Sequence, residues 1–215
     1  RRLVTTAANI GTTTLYAVDA ASGAVTPLVD RHTNGSPRPL PDGSILFTQN
    51  SLVSPVELFT VGAAGGPPRR VTNLNGERLA NLEFGEVSQL SFTGAHGDTV
   101  YGYLIEPVGF DPAQRYPLAF LIHGGPQGSF DDSWHYRWNP QIYAAHGYAT
   151  VMIDFHGSTG YGQAFTDAIN GDWGGAPFED LMTGLDHILQ AHPGIDPERM
   201  AALGARYGGY MVTWI

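Results

Sequence analysis

The sequence predicts an α/β protein, a parallel sheet flanked by helices, preceded by a smaller all-β region. Three observations predict it: apolar runs separated by glycine-rich loops, an internal repeat of 43 residues, and a change of charge between the two regions. Positions 1–85 carry 7 Arg against 6 acidic residues and positions 86–215 carry 4 against 14, so net charge passes from +1 to −10. The expected division is 1–85 and 86–215.

In the first region, Leu15-Tyr16-Ala17-Val18-Asp19-Ala20-Ala21-Ser22-Gly23 can be laid over Leu58-Phe59-Thr60-Val61-Gly62-Ala63-Ala64-Gly65-Gly66. Each copy reads as a strand, a glycine-containing turn and a second strand ending in Leu28-Val29 or Val71. Between the copies, Pro41-Asp42-Gly43 opens a further strand, Ser44 to Thr48. A period near 43 suits the four-stranded blade of a β-propeller, because one small sheet cannot bury both faces until neighbouring blades pack on it.

In the second region, Leu118-Ala119-Phe120-Leu121-Ile122, Ala149-Thr150-Val151-Met152-Ile153 and Met200-Ala201-Ala202-Leu203 read as strands apolar on both faces, as parallel strands covered by helices are. Phe178, Leu181, Met182, Leu185, Ile188 and Leu189 recur at three and four and fall on one helical face, with Pro177 placed for a first turn. Strand, helix, strand, helix, strand gives a layered α/β sheet.

Composition narrows the function classes. The chain has 215 residues, 42% of them apolar, which supports a real core. It has no Cys, which excludes disulfides, thiolate metal sites and a cysteine nucleophile. With a net charge of −9 it offers no broad cationic surface, so nucleic acid is not an expected partner. No apolar stretch reaches the length of a membrane span, and a soluble chain is expected. The N-terminus lacks both an initiator Met and the apolar core of a signal peptide.

Ligands of an open α/β sheet sit beyond the carboxyl ends of its parallel strands, where each of these runs leads into a glycine-rich loop. His123-Gly124-Gly125-Pro126-Gln127-Gly128 lets backbone N–H groups approach a bound group closely, as an oxyanion hole requires. His156-Gly157-Ser158-Thr159-Gly160-Tyr161-Gly162, followed by Asp172-Trp173-Gly174-Gly175, either borders a pocket or covers the sheet. Gly204-Ala205-Arg206-Tyr207-Gly208-Gly209-Tyr210 follows a strand and precedes a helical pattern, the outline of a nucleophile elbow. In such an elbow a residue projects from a sharp turn, and small residues two places either side, here Gly204 and Gly208, let strand and helix approach. The projecting residue should be serine, yet here it is Arg206.

Together with Phe155 and Gly171, which extend them, these motifs resemble the prolyl oligopeptidase family of serine peptidases, in the flavour of its acylaminoacyl-peptidase and bacterial dipeptidyl-peptidase branch. The resemblance runs over nearly all of 86–215. It implies the N-terminal half of an α/β-hydrolase domain, preceded by the C-terminal blades of a β-propeller. It implies acyl transfer on short peptides by a serine at position 206, activated by a histidine that an aspartate orients. It also implies an oxyanion hole formed by the N–H groups of Gly125 and Tyr207.

The chain departs from that pattern twice. A guanidinium with a pKa above about 12 stays charged and is no nucleophile. The family's aspartate and histidine follow the elbow, whereas the given sequence ends at Ile215. An inactive fragment is therefore expected, with Arg206 arising naturally, by engineering or by sequence error. The alternatives are a non-catalytic relative that binds peptides or carboxylates, and an esterase of the same architecture. His187 and His192, five apart, do not align on a helix as a metal pair, and neither metal nor cofactor is expected.

Overall fold

The computed structural model describes residues 1–215 as two compact units, 1–82 with 131–139, and 83–130 with 140–215. The segment Asp131–Asn139, which charge and motif order place with the second region, thus clusters with the first.

The first unit is built from β1 (Arg2–Asn9), β2 (Thr12–Asp19), β3 (Val25–Val29), β4 (Thr33–Pro39), β5 (Ile45–Ser51), β6 (Ser54–Val61) and β7 (Arg69–Arg70), with a single helical turn α1 (Gly76–Leu79). β1, β2 and β3 form one antiparallel meander and β4 to β7 another. A single parallel pairing, Thr13 with Thr33, joins them. A shift of 43 carries β1 onto β5, β2 onto β6 and β3 onto the neighbourhood of β7. β7 stops one residue short of the expected Val71, whose N–H still donates to Leu58 O at 2.8 Å. The core is Leu15, Ala17, Leu28, Val29, Ile45, Phe47 and Val61. Along β5, Ile45, Phe47, Gln49 and Ser51 alternate into the interior, the period-2 signature of a half-buried strand. Glu57 is buried among donors: Thr72 Oγ1, Asn75 N–H at 3.0 Å and Asn75 Nδ2 at 3.3 Å. Burial alone would raise its pKa, but the hydrogen bonds from Thr72, Leu74 and Asn75 outweigh it and hold the carboxyl down at about 2.

The second unit holds a five-stranded sheet in the order β12-β10-β11-β9-β8, from β8 (Val87–Thr93), β9 (Thr99–Ile105), β10 (Tyr116–Ile122), β11 (Ala149–Asp154) and β12 (Ile195–Gly204). β10 pairs in parallel with β11 and β12, as the three apolar runs predicted, while β9 and β8, which the sequence reading did not assign, add antiparallel and make the sheet mixed. Its helices are α2 (Gln141–Ala145), α3 (Gln163–Asp167), α4 (Ala176–Ala191) and α5 (Tyr207–Trp214). None is long and apolar enough to cross a membrane.

α4 starts with Pro177 in its first turn, and Asp172 Oδ2 accepts from Ala176 N–H at 3.0 Å, as sequence and helix-end chemistry require. It buries Leu181 and Ile188 in a core with Val100, Leu118, Phe120, Val151, Ile153 and Phe155. A Cβ on Gly184 would stand 2.5 Å from Phe92 Cζ, so glycine sets how closely this helix approaches the sheet. The third apolar run is not covered on both faces as its composition suggested. β12 has one neighbour only, and Met200 is 41% exposed.

Candidate active site

Neighbouring order β12-β10-β11 brings the carboxyl ends of the three parallel strands side by side, and the three glycine-rich loops with them. Arg206, between β12 and α5, sits at φ 60° and ψ −120°. This region is nearly closed to residues with a side chain and costs on the order of 1–3 kcal/mol. The bend is possible because of its flanking glycines. A Cβ on Gly204 would stand 2.8 Å from Gly208 Cα, and one on Gly208 would overlap the carbonyl oxygen of Ile122 at the end of β10. Gly208 N–H donates to Ala205 O at 3.1 Å and Tyr210 N–H to Arg206 O at 3.0 Å, closing the turn into the helix.

The first loop lies against this bend. A Cβ on Gly124 would be 2.7 Å from Ala205 O and 3.1 Å from Arg206 Cβ. Gly125 is exposed with φ 140°, open to glycine only. Tyr207 supplies the first N–H of α5, one of those left without an acceptor inside the helix. Its side chain is buried, and its hydroxyl donates to Trp173 O at 2.6 Å. Trp214 Nε1 donates to Gly174 O at 3.1 Å, so the Asp172–Gly175 stretch packs on the helix after the bend. Burial pushes the Tyr207 phenol up, with Tyr210 and the carboxylates of Asp172 and Asp180 adding to it. Gly125, Gly204, Arg206, Tyr207 and Gly208 thus stand in one neighbourhood. His187 instead lies against Phe92, ring centroids 5.8 Å apart, and no group of three His, Asp or Glu converges as metal ligands do.

Two buried polar clusters brace the loops, and sequence reasoning assigned neither. In the first, His123 Nε2 accepts from Ser158 Oγ at 2.9 Å, its Nδ1–H donates to Gly124 O at 3.0 Å, and its ring stacks on Phe155 at 4.2 Å. That pair of partners fits a neutral ring, and burial lowers the His123 pKa to about 4, against the opposing hydrogen bond to Gly124. Asp154, also buried, accepts from Ser129 Oγ at 2.5 Å, Phe130 N–H at 2.7 Å and Tyr161 OH at 2.7 Å. In the second cluster, Asp180 accepts from Ala95 N–H at 2.8 Å and from His156 N–H and Nδ1–H, both at 2.6 Å. His156 Nε2 lies 3.2 Å from Asp98, and Phe165 stacks on the ring at 4.2 Å. Burial pushes the Asp180 carboxyl up, against the hydrogen bonds from His156 and Ala95.

Each cluster carries a prediction. Between the ordinary histidine pKa of 6.5 and about 4 the unfolded chain protonates His123 and the folded one does not. Its contribution is therefore full above pH 6.5 and lost as pH falls towards 4, about 3 kcal/mol in all. Urea unfolding at pH 7 and pH 4.5 should show a steeper loss for the wild type than for His123→Gln. Asp180→Ala leaves three buried donors unpaired and should cost about 3–5 kcal/mol, read as a lower urea midpoint at pH 7.

Known structures share this fold. Pyrococcus horikoshii acylaminoacyl peptidase superposes with a TM-score of 0.86 at 26% identity, over 100% of this chain and 33% of that one. Porphyromonas gingivalis dipeptidyl peptidase 4 shares the fold, with a TM-score of 0.78 at 21% identity over 99% of this chain and 31% of that one. The fold is one of mixed sheets with helices, shared with these structures. Residues 134–215 match the model of the prolyl oligopeptidase family, Peptidase_S9, and the chain is a relative of that family. Dipeptidyl-peptidase 5 of Schizosaccharomyces pombe is 38% identical over 213 residues, 97% of this chain and 30% of that protein. Dipeptidyl-peptidase 5 of Trichophyton equinum is 44% identical over 174 residues, 80% of this chain and 24% of that protein. The chain thus spans a third or less of the length of these relatives.

Proposed function

We propose that this chain is a stretch of a two-domain serine-type peptidase acting on short peptides. In this reading 1–85 are the last blades of a β-propeller, the two meanders being one incomplete and one four-stranded blade. Residues 86–215 are the N-terminal half of an α/β-hydrolase domain. Position 206 is the nucleophile position, Gly204 and Gly208 flank the elbow, and the N–H groups of Gly125 and Tyr207 form the oxyanion hole. The observation that carries the reading is the φ 60°, ψ −120° bend at Arg206 with the first glycine loop against it. The names of the relatives point to release of dipeptides or acylaminoacyl residues as the substrate class.

With Arg206 the chain forms no acyl-enzyme, because a guanidinium has no nucleophilic lone pair at neutral pH. The exposed cation in that bend, beside the first N–H of α5, favours one second reading, a non-catalytic relative that holds a peptide carboxylate there. The experiment is to compare aminoacyl anilides, dipeptidyl anilides and simple esters on full-length protein with Arg206 and with Arg206→Ser. Hydrolysis of anilides after substitution supports the peptidase, ester hydrolysis alone an esterase. Peptide-acid binding by the Arg206 protein with no gained hydrolysis supports the binder.

A further inference from the structure

At the end of the second unit's sheet opposite the three glycine-rich loops lies a cavity of about 260 Å³, lined by residues of that unit alone. Leu104 at the end of β9, Ala149 at the start of β11 and Ile195 at the start of β12 line it, and all three are buried. Phe110 and Tyr116 add two rings with centroids 5.4 Å apart. Tyr116 is fixed from two directions: its N–H donates to Gly194 O at 2.8 Å, and its hydroxyl accepts from Asp111 N–H at 2.7 Å. A cavity of this volume falls below the roughly 300 Å³ at which sites for drug-sized ligands begin, so it suits a molecule of one ring or one branched chain.

The chemistry of the lining says what that molecule carries. Glu106, one residue past β9, is half-buried and brings a carboxylate that makes no hydrogen bond and no ion pair. Against apolar walls such a group keeps only part of its water, and it attracts a cation more strongly than it would on an open surface. The faces of Phe110 and Tyr116 favour the same sign of charge. Pro107, Pro112 and Pro193, which also line the cavity, have no N–H to offer an anion. His192 adds a ring nitrogen that accepts an N–H when the imidazole is neutral. We propose that this cavity binds a small organic ammonium ion, its N–H groups on Glu106 and its apolar body against Phe110 and Ile195. The site goes beyond the peptidase reading and does not depend on it.

The probes are benzylammonium, benzyl alcohol and benzoate, which share one ring and differ in charge, titrated calorimetrically into full-length protein carrying Arg206. Benzylammonium should bind at least about tenfold more tightly than benzyl alcohol, and benzoate more weakly than either. Glu106→Gln keeps the shape and removes the charge. It should bring benzylammonium down to the affinity of the alcohol and leave the alcohol unchanged. Phe110→Ala should weaken both, and if it does not fold, Glu106→Gln decides alone. In crystals soaked with para-bromobenzylammonium, the anomalous bromine signal should lie inside the cavity. Equal affinity for the three probes, no binding of benzylammonium, binding that survives Glu106→Gln undiminished, or a bromine signal elsewhere overturns the proposal. None of these readouts needs hydrolysis, so failure of the peptidase reading at position 206 leaves them standing.

Discussion

Full-length protein carrying Arg206→Ser is expected to hydrolyse a dipeptidyl anilide at least about 10⁴-fold faster than the Arg206 protein, because loss of the nucleophile in a serine peptidase costs about 10⁶ in kcat. The bend at 206 is a property of the backbone, made by Gly204, Gly208 and the passage from β12 into α5. A serine inherits that geometry at once, since an L side chain already occupies φ 60° there. Its hydroxyl then stands beside the loop bearing Gly125 and the first N–H of α5, the two donors assigned to the tetrahedral anion. Initial rates on anilides and esters, with fluorophosphonate labelling located at residue 206 by mass spectrometry, measure the gain. Intact folding by circular dichroism with neither rate nor label would end the peptidase reading.

The tight bend at position 206 was legible because it depends on backbone sterics, which glycine spacing records directly. Gly204 and Gly208 must lack a Cβ for strand and helix to meet, and that requirement is written at fixed offsets from position 206. The 43-residue repeat was legible for a similar reason, since turns at Gly23 and at Gly66 need positive φ. β12 lies at one edge of the sheet. An apolar run such as Met200–Leu203 says that side chains tolerate burial, not how many neighbours the strand has. The bracing clusters left no pattern because their partners are remote. His123 meets Ser158 across 35 residues and His156 meets Asp180 across 24, and neither separation follows a helix or strand period. Likewise, Asp131–Asn139 follows the first glycine loop in sequence, but its unit is set by hydrogen bonds to Gly11, His32, Thr33, Asn50 and Leu52.

Two adjacent glycines in α5 should respond to alanine in opposite directions. In Gly208→Ala the new methyl overlaps the Ile122 carbonyl oxygen and stands 2.9 Å from the carbonyl carbon and 3.1 Å from His123 O. All three atoms are backbone at the end of β10, a strand held by hydrogen bonds on both sides, so no side-chain rotation relieves the overlap. Either α5 lifts from the sheet, exposing Tyr207 and Met211, or β10 distorts. The expected cost is about 4 kcal/mol or more, in the range reserved for gross core disruption. In Gly209→Ala the nearest atom to the new methyl is Gly204 O at 3.4 Å, an ordinary contact at the edge of tightness. Alanine in a helix also gains up to about 1 kcal/mol over glycine. Urea unfolding should therefore place the Gly208→Ala midpoint far below wild type and the Gly209→Ala midpoint at or above it. Equal midpoints for the two variants would mean that α5 does not seat against Ile122, and the close approach of helix to strand that shapes the bend at Arg206 would be lost with it.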